Sequence, residues 1–210
     1  AVAPAVAIDT PTSGGSFLTN VVSLAIGGTA SDDVAVAGVS WSNFEGGSSG
    51  AAAGTTSWSA FVPLIPGANT ITVTATDTAG NTATTVLTAT YDAVAPVVTP
   101  SGPSTLSTAT ASVVLSGTAS DDVSLSTVTW VNAASGGSGT ATGTASWSAP
   151  IPLTPGTNVI TITVQDAAGN IATSTITGIH DTQSPTRASS IPTAAAAYNG
   201  PTLPLPIVKV

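Results

Sequence analysis

Hydrophobic and polar residues alternate along most of the chain in short segments, and turn-forming residues separate these segments. In the segment 21–30, Val22, Leu24 and Ile26 alternate with small or polar residues, and Val39 and Trp41 likewise share one face of the segment 36–43. A period of two with one apolar face is typical of a half-buried β-strand. The candidate strands in the first part of the chain are 6–8, 21–30, 36–43, 57–64, 70–76 and 82–91. Sustained helical periodicity is absent from the sequence, so the pattern predicts an all-β protein.

One long stretch of the sequence occurs twice, as a tandem repeat. The run G-T-A-S-D-D-V begins at Gly28 and again at Gly117, and each copy later has the turn sequence D-x-A-G-N. The same spacing of 89 positions separates Trp41 from Trp130 and Trp58 from Trp147. Because a unit of this length can close its own core, the repeat predicts two tandem domains, 1–92 and 93–181, followed by an extended tail, 182–210.

Short alternating strands and frequent turns that close within roughly 90–100 residues are typical of an immunoglobulin-like β-sandwich. We therefore expect two such sandwiches, each with about seven strands. The tryptophans fall at inward-facing positions in both copies, and the sequence predicts that all of them are buried: Trp41, Trp58, Trp130 and Trp147.

The first copy also has the motif series V-S-W, S-W-S-A and P-L-I-P-G-A-N-T-I-T-V before its D-T-A-G-N turn. With G-T-A-S-D-D-V, this series resembles the bacterial immunoglobulin-like repeat, and the resemblance covers both copies, roughly residues 4–181. It implies tandem sandwich domains of the kind found in surface adhesins, stalks and accessory parts of secreted enzymes. The cysteine pair of antibody domains is missing, so the tryptophans must contribute more of the packing.

The amino-acid composition indicates where the protein is located and which classes of partner it can bind. Charged residues make up 6% of the chain, cysteine is absent, and the only basic residues are Arg187 and Lys209. With a net charge of −8, nucleic acid is excluded as a partner, because binding phosphates requires clustered Lys and Arg. Apolar runs are too short for a membrane span, and the small residues at 1–3 resemble the start left by signal-peptide cleavage. We expect a secreted, cell-surface protein whose many Ser and Thr residues offer sites for glycan attachment.

Catalytic chemistry finds little support in the sequence. The only histidine, His180, stands where the first copy has Tyr91, which indicates a strand-end side chain and not a general base. The serines and threonines have no titratable partner at matching repeat positions, as a Ser-His-Asp arrangement would require. The sequence therefore predicts a protein that is not an enzyme.

Aspartates recur at matched positions in the two copies, and they are candidate metal ligands. In a sandwich with this strand order, Asp92 enters the second domain beside the loops that carry Asp121, Asp122 and Asp166. Several carboxylates around one point are what Ca²⁺ requires. The alternative is turn chemistry, in which each aspartate accepts hydrogen bonds from its own loop. Both interpretations stay open from the sequence, and Ca²⁺ is the only cofactor it suggests.

The tail carries both basic residues, whereas all ten acidic residues precede it. If its end is extended, Leu203, Leu205 and Ile207 share one face, while the prolines between them cannot donate hydrogen bonds. Such a segment can add to a sheet edge, and we expect Leu203, Leu205, Ile207 and Lys209 to contact a neighbouring subunit. The function hypothesis is a non-enzymatic structural protein that forms a homo-oligomer or homopolymer, a filament, sheath or matrix. The alternative is an adhesin stalk or accessory binding module.

Overall fold

The structure is a computed structural model that describes residues 2–13 and 15–184. Within these residues the chain forms sixteen β-strands. In the first half they are β1 (Ala5–Thr10), β2 (Ser16–Thr19), β3 (Ser23–Ser31), β4 (Val36–Asn43), β5 (Ser48–Ala51), β6 (Ser57–Pro63), β7 (Gly67–Asp77) and β8 (Thr82–Tyr91). In the second half they are β9 (Val97–Pro100), β10 (Thr105–Thr108), β11 (Ser112–Ser120), β12 (Leu125–Asn132), β13 (Gly137–Thr140), β14 (Ser146–Pro152), β15 (Gly156–Asp166) and β16 (Ile171–His180).

Each half builds one three-stranded and one five-stranded sheet. The first half has the orders β1-β3-β6 and β2-β8-β7-β4-β5, and the second half repeats them as β9-β11-β14 and β10-β16-β15-β12-β13. Most neighbours are antiparallel, but β2 runs parallel to β8 and β10 runs parallel to β16. In each half the two sheets enclose one apolar core, which is the architecture of tandem immunoglobulin-like sandwiches, so the prediction of an all-β chain with two such sandwiches is confirmed.

Alternation along the strands accounts for the two cores. In β7, Ile71, Val73 and Ala75 are fully buried, and in β15 the matching residues Ile160, Ile162 and Val164 are equally buried. The threonines between them face outward and pair across the sheet, as Thr74 does with Thr84. One face of each strand is apolar and the other is polar. A shift of the strand pairing by one residue would expose the buried apolar side chains to solvent, and this penalty fixes the register.

The tryptophans are less uniform than the sequence predicts. Trp58, Trp130 and Trp147 are buried, whereas Trp41 is only partly buried. Trp41 lies against Gly50 of the short edge strand β5, just as the buried Trp130 lies against Gly139 of β13, so this contact does not explain the difference in burial. The prediction that all four rings are buried is therefore wrong for Trp41, which is only partly buried.

The predicted strand number was also too low, because each sandwich has eight strands instead of seven. The missed strands are β2, β5, β10 and β13, all four residues long and at sheet edges. They contain mainly Ser, Thr and Gly, so the sequence around β5 has the composition of a turn. The predicted subunit contacts in the tail lie outside the described residues.

Candidate metal centre at the domain junction

Three aspartates reach the junction from three different strands. Asp92 directly follows β8, Asp121 directly follows β11, and Asp166 is the last residue of β15. The N–H of Asp92 donates to the carbonyl oxygen of Thr19, 2.9 Å away, and this bond fixes the end of the first domain. The chain therefore carries Asp92 out of the first sandwich and directly onto the pole of the second.

The carboxyl groups of these residues, which we call the junction cluster (Asp92, Asp121, Asp166), lie close together. One carboxylate oxygen from each residue can be chosen so that all three lie within 4.8 Å of one another. Asp92 and Asp166 are each only 2% exposed, and Asp121 is half-buried. Asp122, the fourth aspartate predicted to converge here, is exposed and does not belong to the cluster.

The turn chemistry proposed as the alternative is present, and it gives both carboxylate oxygens of Asp166 a hydrogen-bond partner. One oxygen of Asp166 accepts hydrogen bonds from the N–H groups of Gly169 and Asn170, at 2.7 and 2.8 Å. The other accepts a bond from Nδ2 of Asn170 at 2.8 Å. Gly169 has a φ of 101°, as the turn in D-x-A-G-N requires. Asp166 is thus held rigidly by its own loop.

Turn chemistry satisfies only half of each remaining carboxylate. Oδ1 of Asp92 accepts a bond from the N–H of Val94 at 3.0 Å, and Oδ2 of Asp121 accepts bonds from the N–H groups of Val123 and Ser124, both at 3.0 Å. Within the described part of the chain, Oδ2 of Asp92 and Oδ1 of Asp121 are buried and have no hydrogen-bond partner. The junction thus contains two buried carboxylate oxygens that accept no hydrogen bond from any described residue.

The burial of Asp92 and the neighbouring carboxylates change its pKa. Burial raises the pKa of Asp92 above its ordinary value, and the hydrogen bond from Val94 opposes this effect. The negative charges of Asp121, Asp166 and the more distant Asp122 raise the pKa further. Three carboxylates of like charge in a largely desolvated site repel one another unless a proton or a cation is added. The oxygen donors of the junction cluster are those that hard divalent cations accept.

The repeat provides two internal references for the junction cluster. Asp32 and Asp77 in the first domain hold the positions of Asp121 and Asp166 and make similar turn hydrogen bonds, although Oδ1 of Asp77 accepts from the N–H of Ala79 where Oδ1 of Asp166 accepts from that of Gly169. Asp181, which matches Asp92, has the same backbone anchor to Thr108 and the same turn bond from Gln183, but its side chain is exposed. Within residues 2–13 and 15–184, only the junction brings three such carboxyl groups together.

Sequence reasoning overlooked the asparagine of the D-x-A-G-N turn. Nδ2 of Asn170 donates to the backbone oxygen of Asp92 at 3.2 Å, across the domain boundary, as well as to Asp166. The repeat of Asn81 and Asn170 in matched positions was the available signal. The only histidine, His180, is the last residue of β16 and is buried, in line with the strand-end position that the sequence indicates.

Helices are absent from the described segments, so none is long and apolar enough to cross a membrane. Comparison with protein-family models gives no match, and comparison with curated proteins gives none either.

Solved structures with a similar fold include the fibronectin(III)-like modules of Clostridium thermocellum CbhA, at 19% identity and a TM-score of 0.55. That match covers 84% of this chain and 94% of the other. A 1.5-MDa bacterial ice-binding adhesin is similar at 16% identity, with a TM-score of 0.44 and coverage of 85% and 64%. At these identities the likeness concerns the fold: the chain is a pair of tandem immunoglobulin-like or fibronectin(III)-like domains.

Proposed function

We propose that this chain is a non-enzymatic structural module of a secreted or cell-surface protein, related to the bacterial immunoglobulin-like repeats. One observation carries the proposal: one sandwich is repeated in tandem, and the end of the first domain is buried in the pole of the second through Asp92. Burying a connecting residue limits the directions in which two domains can point, which suits a spacer or a rod. The low charge and the Ser/Thr-rich surface support an extracellular location. We retain 1–92, 93–181 and 182–210 as the proposed division of the chain.

In the more specific form of the proposal, the chain is a subunit of a surface filament, sheath or matrix. The tail residues Leu203, Leu205, Ile207 and Lys209 would add to a sheet edge of the next copy and produce a homopolymer. The short edge strands β5 and β13 have an unpaired side that could accept such a segment.

Removal of residues 200–210 tests the assembly. We expect the full chain to form fibres that electron microscopy and light scattering detect, and the truncated chain to remain monomeric. The substitution Arg187→Gln, which removes the other basic residue of the tail but none of the proposed contact residues, serves as a control that should still assemble. If the truncated chain forms the same fibres, the tail is not the connector.

The alternative function, an adhesin stalk or accessory binding module, has one observation in its favour. Phe44 and Phe61 are 83% and 74% exposed, and the second copy has Ala133 and Pro150 at their positions. Phe44 follows β4 and Phe61 lies in β6, which belongs to the other sheet, so each ring would be a separate contact point that a structural role common to both copies does not require. The double substitution Phe44→Ala/Phe61→Ala should leave the melting temperature unchanged and reduce retention on cell-wall glycans if this alternative holds.

A further inference from the structure

We infer that the junction cluster binds one Ca²⁺ ion and that this ion clamps the two domains together. The inference deepens the proposed function, because it names the ligand that would make the domain pair rigid. It rests on that function for its biological meaning and on the geometry of the cluster for its chemistry.

The separation of the oxygens is suitable for a single shared ion. Ca²⁺ binds oxygen ligands at about 2.3–2.6 Å, so two ligands on opposite sides of the ion are roughly 4.6–5.2 Å apart. The three carboxylate oxygens of the junction cluster lie within 4.8 Å of one another. An ion placed among them would therefore reach all three with small adjustments of the side chains.

The unpartnered oxygen of Asp92 distinguishes this cluster from an ordinary acidic surface. Asp92 is 2% exposed, and its Oδ2 accepts no hydrogen bond from any described residue. A buried carboxylate oxygen without a partner is costly, and natural structures normally supply one. Oδ1 of Asp121 also has no partner on the other side of the domain boundary, but the same is true of Oδ1 of its counterpart Asp32 in the first domain, so Asp92 is the residue that sets the junction apart. A divalent cation between Asp92 and Asp121 would satisfy both atoms and would attract one domain to the other.

The cluster also has the rigidity that a cation site needs. Asp166 and Asp121 are fixed by backbone N–H groups of their own loops, and Asp92 is fixed by Val94 and Thr19. Asp92 belongs to the segment that enters the second domain from the first, so ion binding and the angle between the domains are coupled. Oxygen ligands alone favour Ca²⁺ or Mg²⁺ over softer metals.

Calorimetric titration of the full chain with CaCl₂, up to about 10 mM, tests the inference, since extracellular sites can be as weak as roughly 1 mM. We expect the wild type to bind one Ca²⁺ per chain and Asp92→Asn to bind at least about tenfold more weakly. Asp181→Asn is the matched control, because Asp181 has the same backbone anchor but belongs to no group of three carboxylates within the described residues. It should bind as the wild type does.

Melting curves give a second readout that does not depend on the heat of binding. In chelator, Asp92→Asn should melt higher than the wild type, because it removes one of three repelling charges. In CaCl₂ the order should reverse, and MgCl₂ should produce a smaller shift. If Asp92 only forms its turn, Ca²⁺ should shift the melting temperatures of the wild type and of Asp92→Asn equally. Equal affinities of the two proteins for Ca²⁺ in the calorimetric titration would overturn the inference.

Residual dipolar couplings show whether Ca²⁺ binding also fixes the orientation of one domain relative to the other. In the wild type, the alignment tensors of the two domains should converge when Ca²⁺ is added, whereas Asp92→Asn should show no change. Binding without convergence would overturn the clamp. The tail-dependent assembly is measured independently, so a failure there leaves these outcomes untouched.

Discussion

Asn170 joins the two domains: its Nδ2 lies 3.2 Å from the backbone oxygen of Asp92 and 2.8 Å from Oδ2 of Asp166. One side chain therefore both closes a turn in the second domain and contacts the end of the first. In the first domain, Asn81 closes the equivalent turn on Asp77 at 2.6 Å, and its other contact is with Val2, at 3.5 Å. The two asparagines form a natural comparison, because one lies at a domain boundary and the other does not.

We expect Asn170→Ala to destabilise the chain more than Asn81→Ala does. Both variants lose the hydrogen bond that closes the turn, but only Asn170→Ala loses the bond across the boundary. A net hydrogen bond contributes about 1 kcal/mol, so the free energies of unfolding should differ by about that amount. Denaturant unfolding of both variants measures the difference. Equal losses would mean that the contact with Asp92 contributes nothing to stability.

The pH dependence of stability should reveal the turn around Asp77. The side-chain hydrogen bond from Asn81, followed by the N–H groups of Asn81, Ala79 and Gly80, holds the pKa of Asp77 below its ordinary value despite its burial. A carboxyl whose pKa is lower in the folded than in the unfolded state stabilises the fold at pH values above its unfolded pKa, about 3.9. This contribution is lost as the pH falls through the lower, folded pKa.

Asn81→Ala should therefore raise the pKa of Asp77 toward its ordinary value, which NMR titration of the side-chain carboxyl measures directly. The stability difference between wild type and variant should be largest above about pH 4 and should shrink below it. The neighbouring exposed substitution Thr82→Ala is a control that should not change the pKa of Asp77. A pKa that stays low in Asn81→Ala would assign the effect to the backbone N–H groups alone.

Sequence reasoning was effective where a local pattern decides the structure. The alternation of Ile71, Val73 and Ala75 fixes a buried face of β7, and the repeat transfers the same argument to β15. It missed β5 because Ser and Gly have weak strand preferences, and only pairing with Trp41 and its neighbours makes that segment a strand. It placed Asp92 at the junction but could not distinguish Asp121 from Asp122, since adjacent residues point in different directions and only tertiary packing decides which one faces Asp92.

Buried asparagines are a further feature that the hydrophobic pattern could not reveal. Asn158 is fully buried and accepts hydrogen bonds from Nδ2 of Asn132 and from the N–H of Thr154, both at 2.9 Å. It also donates to the backbone oxygens of Thr154 and Gly156. Asn43 and Asn69 form the same pair in the first domain, at 2.8 Å. The side-chain amide of Asn158 thus holds the turn that leads into β15 by hydrogen bonds to its backbone.

Asn158→Ala should lower the free energy of unfolding by about 3 kcal/mol or more. It removes the acceptor of the N–H of Thr154 and one of the two acceptors of the buried Asn132 amide, which keeps its bond to the backbone oxygen of Pro152, and each such loss costs about 1–3 kcal/mol. Denaturant unfolding measures the effect, and hydrogen exchange should show loss of protection in β15 while β7 keeps its own. Thr157→Ala, at the exposed neighbouring position, should cost less than about 0.5 kcal/mol. A cost for Asn158→Ala as small as that of the control would show that water replaces the amide without penalty.

Gly117 of β11 pairs with Trp147 of the neighbouring strand β14, and its missing side chain leaves room for the tryptophan ring. A Cβ atom added at Gly117 would lie 2.5 Å from Cζ2 of Trp147 and 2.5 Å from the backbone oxygen of Thr99. Trp147 is 2% exposed, and the backbone of β9 is held by its pairing with β11, so neither neighbour can move freely. Gly28 has an equivalent position against Trp58 in the first domain. The repeated glycine thus makes room for the buried tryptophan in each sandwich.

We therefore expect Gly117→Ala to destabilise the second domain by about 1–3 kcal/mol, the usual cost of overpacking a core. Gly38→Ala is the matched control: a Cβ there meets no atom within 4 Å, so its effect should be within about 0.5 kcal/mol of zero. Trp147 fluorescence in the Trp41→Phe/Trp58→Phe/Trp130→Phe background reports whether the ring shifts. If Gly117→Ala unfolds at the same denaturant concentration as its background, the strand moves aside at no cost, and the close approach of Gly117 to Trp147 does not limit the packing of the sandwich.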